Sequence, residues 1–276
     1  MITELLFALL IGLCFDRAQM GISLANYDAL SNGFGTIDMT VRKKIKAPMA
    51  YRILVPYMVT WTEKLLKTDP EYRIFIYQAF KSFFVMLAAW SVIHVFGIMV
   101  TLITFIILLL TVHYDYWDWP IELAAIVLAA GGLFIPALIV GILFAFSRET
   151  SLITGFVYLV STGDWTGAII ITAIIGVILF CVRFFIGKRE LYCDRFMWKY
   201  NLGLFKNFFK WKPFLYSPLF VSAAITIGTI VSVAFMPQYW FILPMLVAGW
   251  VLAKADEPRV FSACVPFIAV IIGGSL

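Results

Sequence analysis

Residues 121–163 read IELAAIVLAAGGLFIPALIVGILFAFSRETSLITGFVYLVSTG. Two apolar runs, 121–146 and 151–163, are separated only by Ser147-Arg148-Glu149-Thr150. A membrane helix needs about 20 apolar residues, with a usual range of roughly 17–25, and 121–146 reaches that length. Gly131-Gly132 and Pro136 interrupt the run, which predicts a kink or a broken helix there. A charged side chain costs roughly 2.5–3.5 kcal/mol at the centre of a membrane helix, so a charged island between two apolar runs is a functional hypothesis by default.

The pattern continues outward in both directions. Further apolar runs cover 2–15, 74–96, 98–112, 166–186, 214–236, 238–253 and 260–276. The 276 residues are 63% hydrophobic and 13% charged, with a mean hydropathy of +0.96. Soluble domains carry about 25% charged residues. These figures predict an all-α, polytopic transmembrane helix bundle of about nine spans, as a single transmembrane domain over 1–276. No polar stretch outside 16–73 and 187–213 is long enough for a soluble domain. Ile2–Phe15 lacks the basic start and small-residue cleavage site of a signal peptide, and reads as a retained helix. Cys14, Cys181, Cys193 and Cys264 are scattered, with no metal spacing and no disulfide framework. The net charge of +5 lies on membrane-flanking loops, which gives nucleic-acid binding no support.

Basic loops orient the chain. Segment 187–213 carries Lys188, Arg189, Arg195, Lys199, Lys206, Lys210 and Lys212 against Glu190 and Asp194, and is expected in the cytoplasm. Within it, 195–211 sets its basic residues on one helical face and aromatic residues on the others, the pattern of an amphipathic helix lying on an anionic leaflet. Loop 113–120 holds Asp115 and Asp118 without a basic residue, and 161–165 holds only Asp164; both are expected outside. This arrangement requires 121–146 and 151–163 each to cross. It puts the N-terminus in the cytoplasm and an external loop at 16–73. That loop has nine basic residues against six acidic ones, so either it is external and its cations bind an anionic ligand, the favoured reading, or 48–67 crosses and the orientation changes. Its semi-apolar part, 48–67, is too charged to face lipid and belongs at the interface or against the bundle.

Four constellations carry chemistry. Asp16 follows the first apolar run, and Tyr27-Asp28 comes after it. A carboxylate at the lipid–water boundary can serve as a general base, or simply end a helix in solvent. Tyr51-Arg52-Ile53-Leu54-Val55-Pro56 follows the basic run Arg42-Lys43-Lys44-Ile45-Lys46. An arginine there holds a phosphate through paired donors, or snorkels from an interfacial helix. In 113–120, HYDYWDWP, the dense Tyr and Trp form an ordinary aromatic belt. Asp115 and Asp118, three apart, can share a turn facing the same cavity as Asp16. Finally, Arg148-Glu149-Thr150 and Asp256-Glu257-Pro258-Arg259 are two short turns, expected in the cytoplasm, whose opposite charges can pair or merely set topology.

Taken in order, these pieces resemble the GT-C superfamily of polytopic glycosyltransferases, particularly its small bacterial branches. The mannosyltransferases of glycolipid-anchor synthesis are a more distant likeness. The resemblance implies a polyprenyl-phosphate-linked sugar as donor, transfer on the external face with inversion, and an acidic base in the first external loop. Asp16 takes that role, with Asp28 in reserve. Arg52, beside Tyr51, becomes a phosphate contact, and Asp115 and Asp118 line the acceptor side. Arg148 becomes a structural or lipid-facing charge at the cytoplasmic end, with Glu149 and Arg259 as further substrate-side candidates. A phosphate leaving group needs cations, not a general acid, so one carboxylate with arginines or lysines suffices, unlike the paired carboxylates of a glycosidase. The first loop has no adjacent Asp-Asp or Glu-x-Asp pair for a divalent metal. The implied location is the bacterial cytoplasmic membrane, among membrane lipids. The rival expectation is a non-catalytic integral membrane subunit held by protein partners in a larger complex.

Overall fold

The computed structural model describes residues 2–29, 54–69, 72–111, 118–186, 202, 218–252 and 258–274. Among the described residues there is no strand. The helices are α1 (Ile2–Ala29), α2 (Leu54–Leu66), α3 (Arg73–Phe96), α4 (Ile98–Thr111), α5 (Asp118–Ala130), α6 (Phe134–Ala145), α7 (Ile153–Thr162), α8 (Trp165–Ile186), α9 (Pro218–Phe235), α10 (Ile242–Leu252) and α11 (Val265–Gly274). Two of them, α3 and α8, are long and apolar enough to cross a membrane. The chain divides into two compact units, one of Met1–Ser91 with Asp115–Tyr192, the other of Val92–Tyr114 with Cys193–Leu276.

In the first unit, α1 does not stop before Asp16. It runs unbroken through Ala29, so the loop expected from residue 16 begins later. Residues 16–29 contain no proline, and Arg, Ala, Gln, Met and Leu are good helix formers. The helix packs closely on α3: a Cβ on Gly12 would lie 3.3 Å from the Cβ of Met86. Lys67, with φ 51°, turns the chain between α2 and α3. Arg73 then clips the two helices together, donating Nε to Glu63 Oε1 at 2.6 Å and Nη2 to Glu63 Oε2 at 3.1 Å. One of the nine cations counted in 16–73 is therefore engaged by a carboxylate of its own unit.

The run 121–146 breaks at Gly131-Gly132, as its sequence predicts. Gly132 takes a left-handed φ of 71°, which costs glycine little. The break is not a kink within one crossing, however. The chain folds back, and α5 and α6 form a hairpin whose open end brings Asp118 beside Arg148. The 13 residues of α5 and 12 of α6 reach about 20 Å and 18 Å, against about 30 Å of hydrocarbon. The expectation that 121–146 crosses, with residue 118 on one face and residue 148 on the other, is therefore corrected.

A 3-10 turn, Glu149–Leu152, leads into α7. Gly163, with φ 72°, ends α7, and Asp164 caps α8, accepting from the Gly167 N–H at 3.0 Å. The α7–α8 crossing is close because Gly155 has no side chain. A Cβ there would lie 3.1 Å from Ala168 O and run into Thr172. Gly155→Leu is expected to cost about 1–3 kcal/mol by overpacking, read as a lower thermal midpoint in detergent. An unchanged midpoint would show that this crossing does not hold the unit together. The outer side of α8 leaves Ile169, Val177, Phe180, Phe184 and Phe185 exposed, a face suited to lipid.

In the second unit, α11 packs against α4 and α9. The rings of Phe96, Tyr239, Phe241 and Phe267 interlock with centroids 5.2–6.2 Å apart. Trp250 Nε1 donates to Thr226 Oγ1 at 2.9 Å, tying α10 to α9. Thr226, Thr229 and Ser232 return their own hydroxyl protons to carbonyls one turn back, the usual way such side chains enter apolar helices.

Candidate functional site

The charged residues of the first unit concentrate at the open end of the α5–α6 hairpin. Asp118 and Glu122 are four apart on α5 and so share one face. Asp118 opens the helix, where a carboxylate opposes the positive end of the helix dipole, and Pro120 is tolerated in that first turn. They are only 2% and 6% exposed. Across from them α6 ends: the backbone N–H groups of Ser147 and Arg148 both donate to Phe144 O, at 2.9 and 2.8 Å. Arg148 then turns extended, with φ −152° and ψ 147°. Its Nε forms an ion pair with Asp118 Oδ2 at 3.1 Å, and its Nη1 donates to Glu122 Oε2. One guanidinium thus spans both carboxylates, a task its planar fork suits and a lysine ammonium does not.

Two more of the singled-out stretches reach this end. Trp119, fully buried beside Asp118, packs its ring 5.4 Å from that of Phe15, the residue before Asp16. The N–H of Leu54, two residues after Arg52 in the sequence, donates to Phe146 O at 3.3 Å. The turn at 146–148 is therefore shared by α2, α5 and α6, with α1 one ring contact away.

Asp16 and Asp28 both lie on α1. Glu149 opens the 3-10 turn before α7, and Arg259 lies in the 3-10 segment Pro258–Cys264 of the second unit. The side chains of these four, the whole of Tyr51, Arg52, Asp115, Asp256 and Glu257, and segment 187–213 apart from Leu202 lie outside the described residues. Arg148 is not lipid-facing: its side chain is 13% exposed, and its carboxylate partners come from α5.

Two further charged residues are buried inside apolar helices of this unit. Glu122 sits inside a run that hydropathy scores as apolar; its spacing of four from Asp118 was the available signal. Lys81 is fully buried within α3. Among the described residues, no three His, Cys, Asp or Glu side chains group as metal ligands.

Chemically, Arg148 compensates and orients two buried carboxylates. A carboxylate has about four acceptor sites, so each can take a hydroxyl in addition to the guanidinium. The chain matches no known family model, no curated protein and no solved structure.

Proposed function

We propose that the protein is a polytopic membrane glycosyltransferase of the GT-C type, moving a sugar from a polyprenyl-phosphate donor to an external glycan or lipid acceptor. The observation that carries this reading is the meeting, at one end of one unit, of stretches that the resemblance marks separately: Phe15 before Asp16, Leu54 after Arg52, Asp118, and Arg148. In this reading Asp16 is the base and Arg52 holds the phosphate. Asp118 and Glu122, fixed by Arg148, orient hydroxyls on the acceptor side. The apolar outer face of α8 and the length of α3 and α8 support placement in a membrane, proposed as the bacterial cytoplasmic membrane.

Mass spectrometry of lipids that copurify in mild detergent tests the reading. Enrichment of a polyprenyl phosphate or its glycosylated form, lost in Arg52→Ala, is the expected result. A second reading, a non-catalytic subunit of a membrane complex, is favoured by the way Asp118, Glu122 and Arg148 bond to one another as a structural ion cluster would. Bulk phospholipid together with a stoichiometric protein partner would decide for it.

A further inference from the structure

Ser147 Oγ donates to Leu143 O at 3.1 Å, and Thr162 Oγ1 donates to Tyr158 O at 2.8 Å, each to the carbonyl one turn back. Ser151 and Thr154, which lie between them in the sequence, do otherwise. Both are fully buried, and neither hydroxyl has a hydrogen-bond partner among the described residues. A buried hydroxyl is costly to leave unmade, so two in one place call for a ligand.

Their placement points them at the ion cluster. Ser151, Thr154 and Tyr158 follow one another at the spacing of one helix face. That face looks onto α6: the ring of Tyr158 is 5.8 Å from that of Phe134, at the start of α6, and a Cβ on Gly141 would lie 3.5 Å from Thr154 Cγ2. The two helices therefore run in opposite directions. Ser151 comes next, over the last turn of α6, where the 3-10 turn that holds it packs. α5 lies along both α6 and α7. Arg148 meets Asp118 at the open end of the hairpin, and Glu122 is about 6 Å deeper along α5. Phe144, four residues back from Arg148 on the other arm, has the same depth, and Gly141 lies about 4.5 Å below it. Ser151 thus falls near the level of Glu122, with Thr154 just beneath.

Charge says what the ligand is. Asp118 and Glu122, both ionised, face the single guanidinium of Arg148, so the buried trio keeps one negative charge. The C-terminal end of α6 adds a negative partial charge at the same place. We infer that Glu122, Ser151 and Thr154 form a binding site for a small monovalent cation such as sodium. The donors are all oxygens, the kind a hard cation takes. A monovalent ion brings the trio to neutrality, whereas a divalent one would bury an excess positive charge. Water alone would satisfy the hydroxyls and leave the charge unmet. The site does not rest on the transferase reading, and Asp118, one turn nearer the open end, keeps its place on the acceptor side.

The test is the thermal midpoint of the full chain in mild detergent, in sodium chloride against choline chloride at equal ionic strength. A saturable rise with sodium is expected, roughly 5 °C or more at a hundred times the dissociation constant. Ser151→Ala/Thr154→Val removes both hydroxyls at nearly constant volume, keeps every charge, and breaks no hydrogen bond among the described residues. Its midpoint in choline is expected to match the wild type, and its rise to need about tenfold more sodium or greater. Should that variant fail to accumulate, radioactive sodium retained by the wild type and not displaced by choline reads the site directly. Equal midpoints in the two salts, or no retained sodium, would mean that a proton or another cation of the chain, such as Lys81, balances the cluster, and would overturn the site. A sodium effect unchanged in the double variant would put the ion elsewhere and overturn it too. None of these measurements involves sugar transfer, so failure of the transferase reading leaves their outcome untouched.

Discussion

Arg148→Met is expected to be the most destabilising single substitution in the first unit, at roughly 3–5 kcal/mol, the scale for removing one partner of a buried ion cluster. Asp118 and Glu122 are almost entirely buried, and methionine leaves both without the guanidinium that spans them. The cost comes mainly from carboxylates kept from water without that partner, more than from the lost attraction. The companion variant makes the explanation testable. Asp118→Asn/Glu122→Gln/Arg148→Met removes all three charges at similar volume and is expected to recover most of the stability, since neutral replacements of buried ion clusters are often neutral or stabilising. Thermal midpoints in detergent for the wild type, the single and the triple variant should rank with Arg148→Met lowest. If the triple variant is as unstable as the single one, shape and not charge holds the hairpin shut. A full wild-type midpoint for Arg148→Met would show that the cluster carries no structural weight.

The same cluster shows where sequence reading reaches its limit. Gly131-Gly132 announced a break, because two glycines in an apolar run weaken a helix wherever they occur. Nothing local says what the chain does after the break. Hydropathy measures the length and greasiness of 121–146, and both a spanning helix and a folded-back hairpin satisfy it. The choice is made by Arg148 docking on residues 26 and 30 positions earlier. Glu122 was hidden by the same averaging, since one carboxylate in a long apolar run moves a window mean little. The end of α1 was misplaced for a related reason: Asp16-Arg17 interrupts an apolar run without interrupting a helix, and only the run was being read. By contrast, the pairing of α7 with α8 was legible in kind, because a short apolar run, a Gly-Asp turn and a long apolar run make a helical hairpin by length alone. What the candidate site owed to sequence was its parts: Asp118 and Arg148 were both singled out, but on opposite faces.

On the proposed transferase reading, Asp16→Asn is expected to lower sugar transfer by 10²–10⁴-fold, the usual contribution of a general base, while leaving the thermal midpoint unchanged. Asparagine keeps the shape of the side chain and the helix around it, so a loss of rate without loss of fold isolates the proton-accepting role. The continuous α1 makes Asp28 an informative partner. Twelve residues of helix separate the two carboxylates, about 18 Å along the axis, so one reacting hydroxyl cannot lie within reach of both. The contact of Phe15 with Trp119 puts the Asp16 turn, and not the Asp28 turn, beside the hairpin's charged end. Asp28→Asn is therefore expected to retain most of the activity when transfer is assayed with a glycosylated polyprenyl phosphate in nanodiscs. Loss in Asp28→Asn with retention in Asp16→Asn would move the chemistry to the far end of α1 and away from Arg148. Retention in both would remove a carboxylate base on α1 altogether. Asp118 would then be the next carboxylate to test, and Arg148, bonded to it, would take on a role in the reaction as well as in the fold.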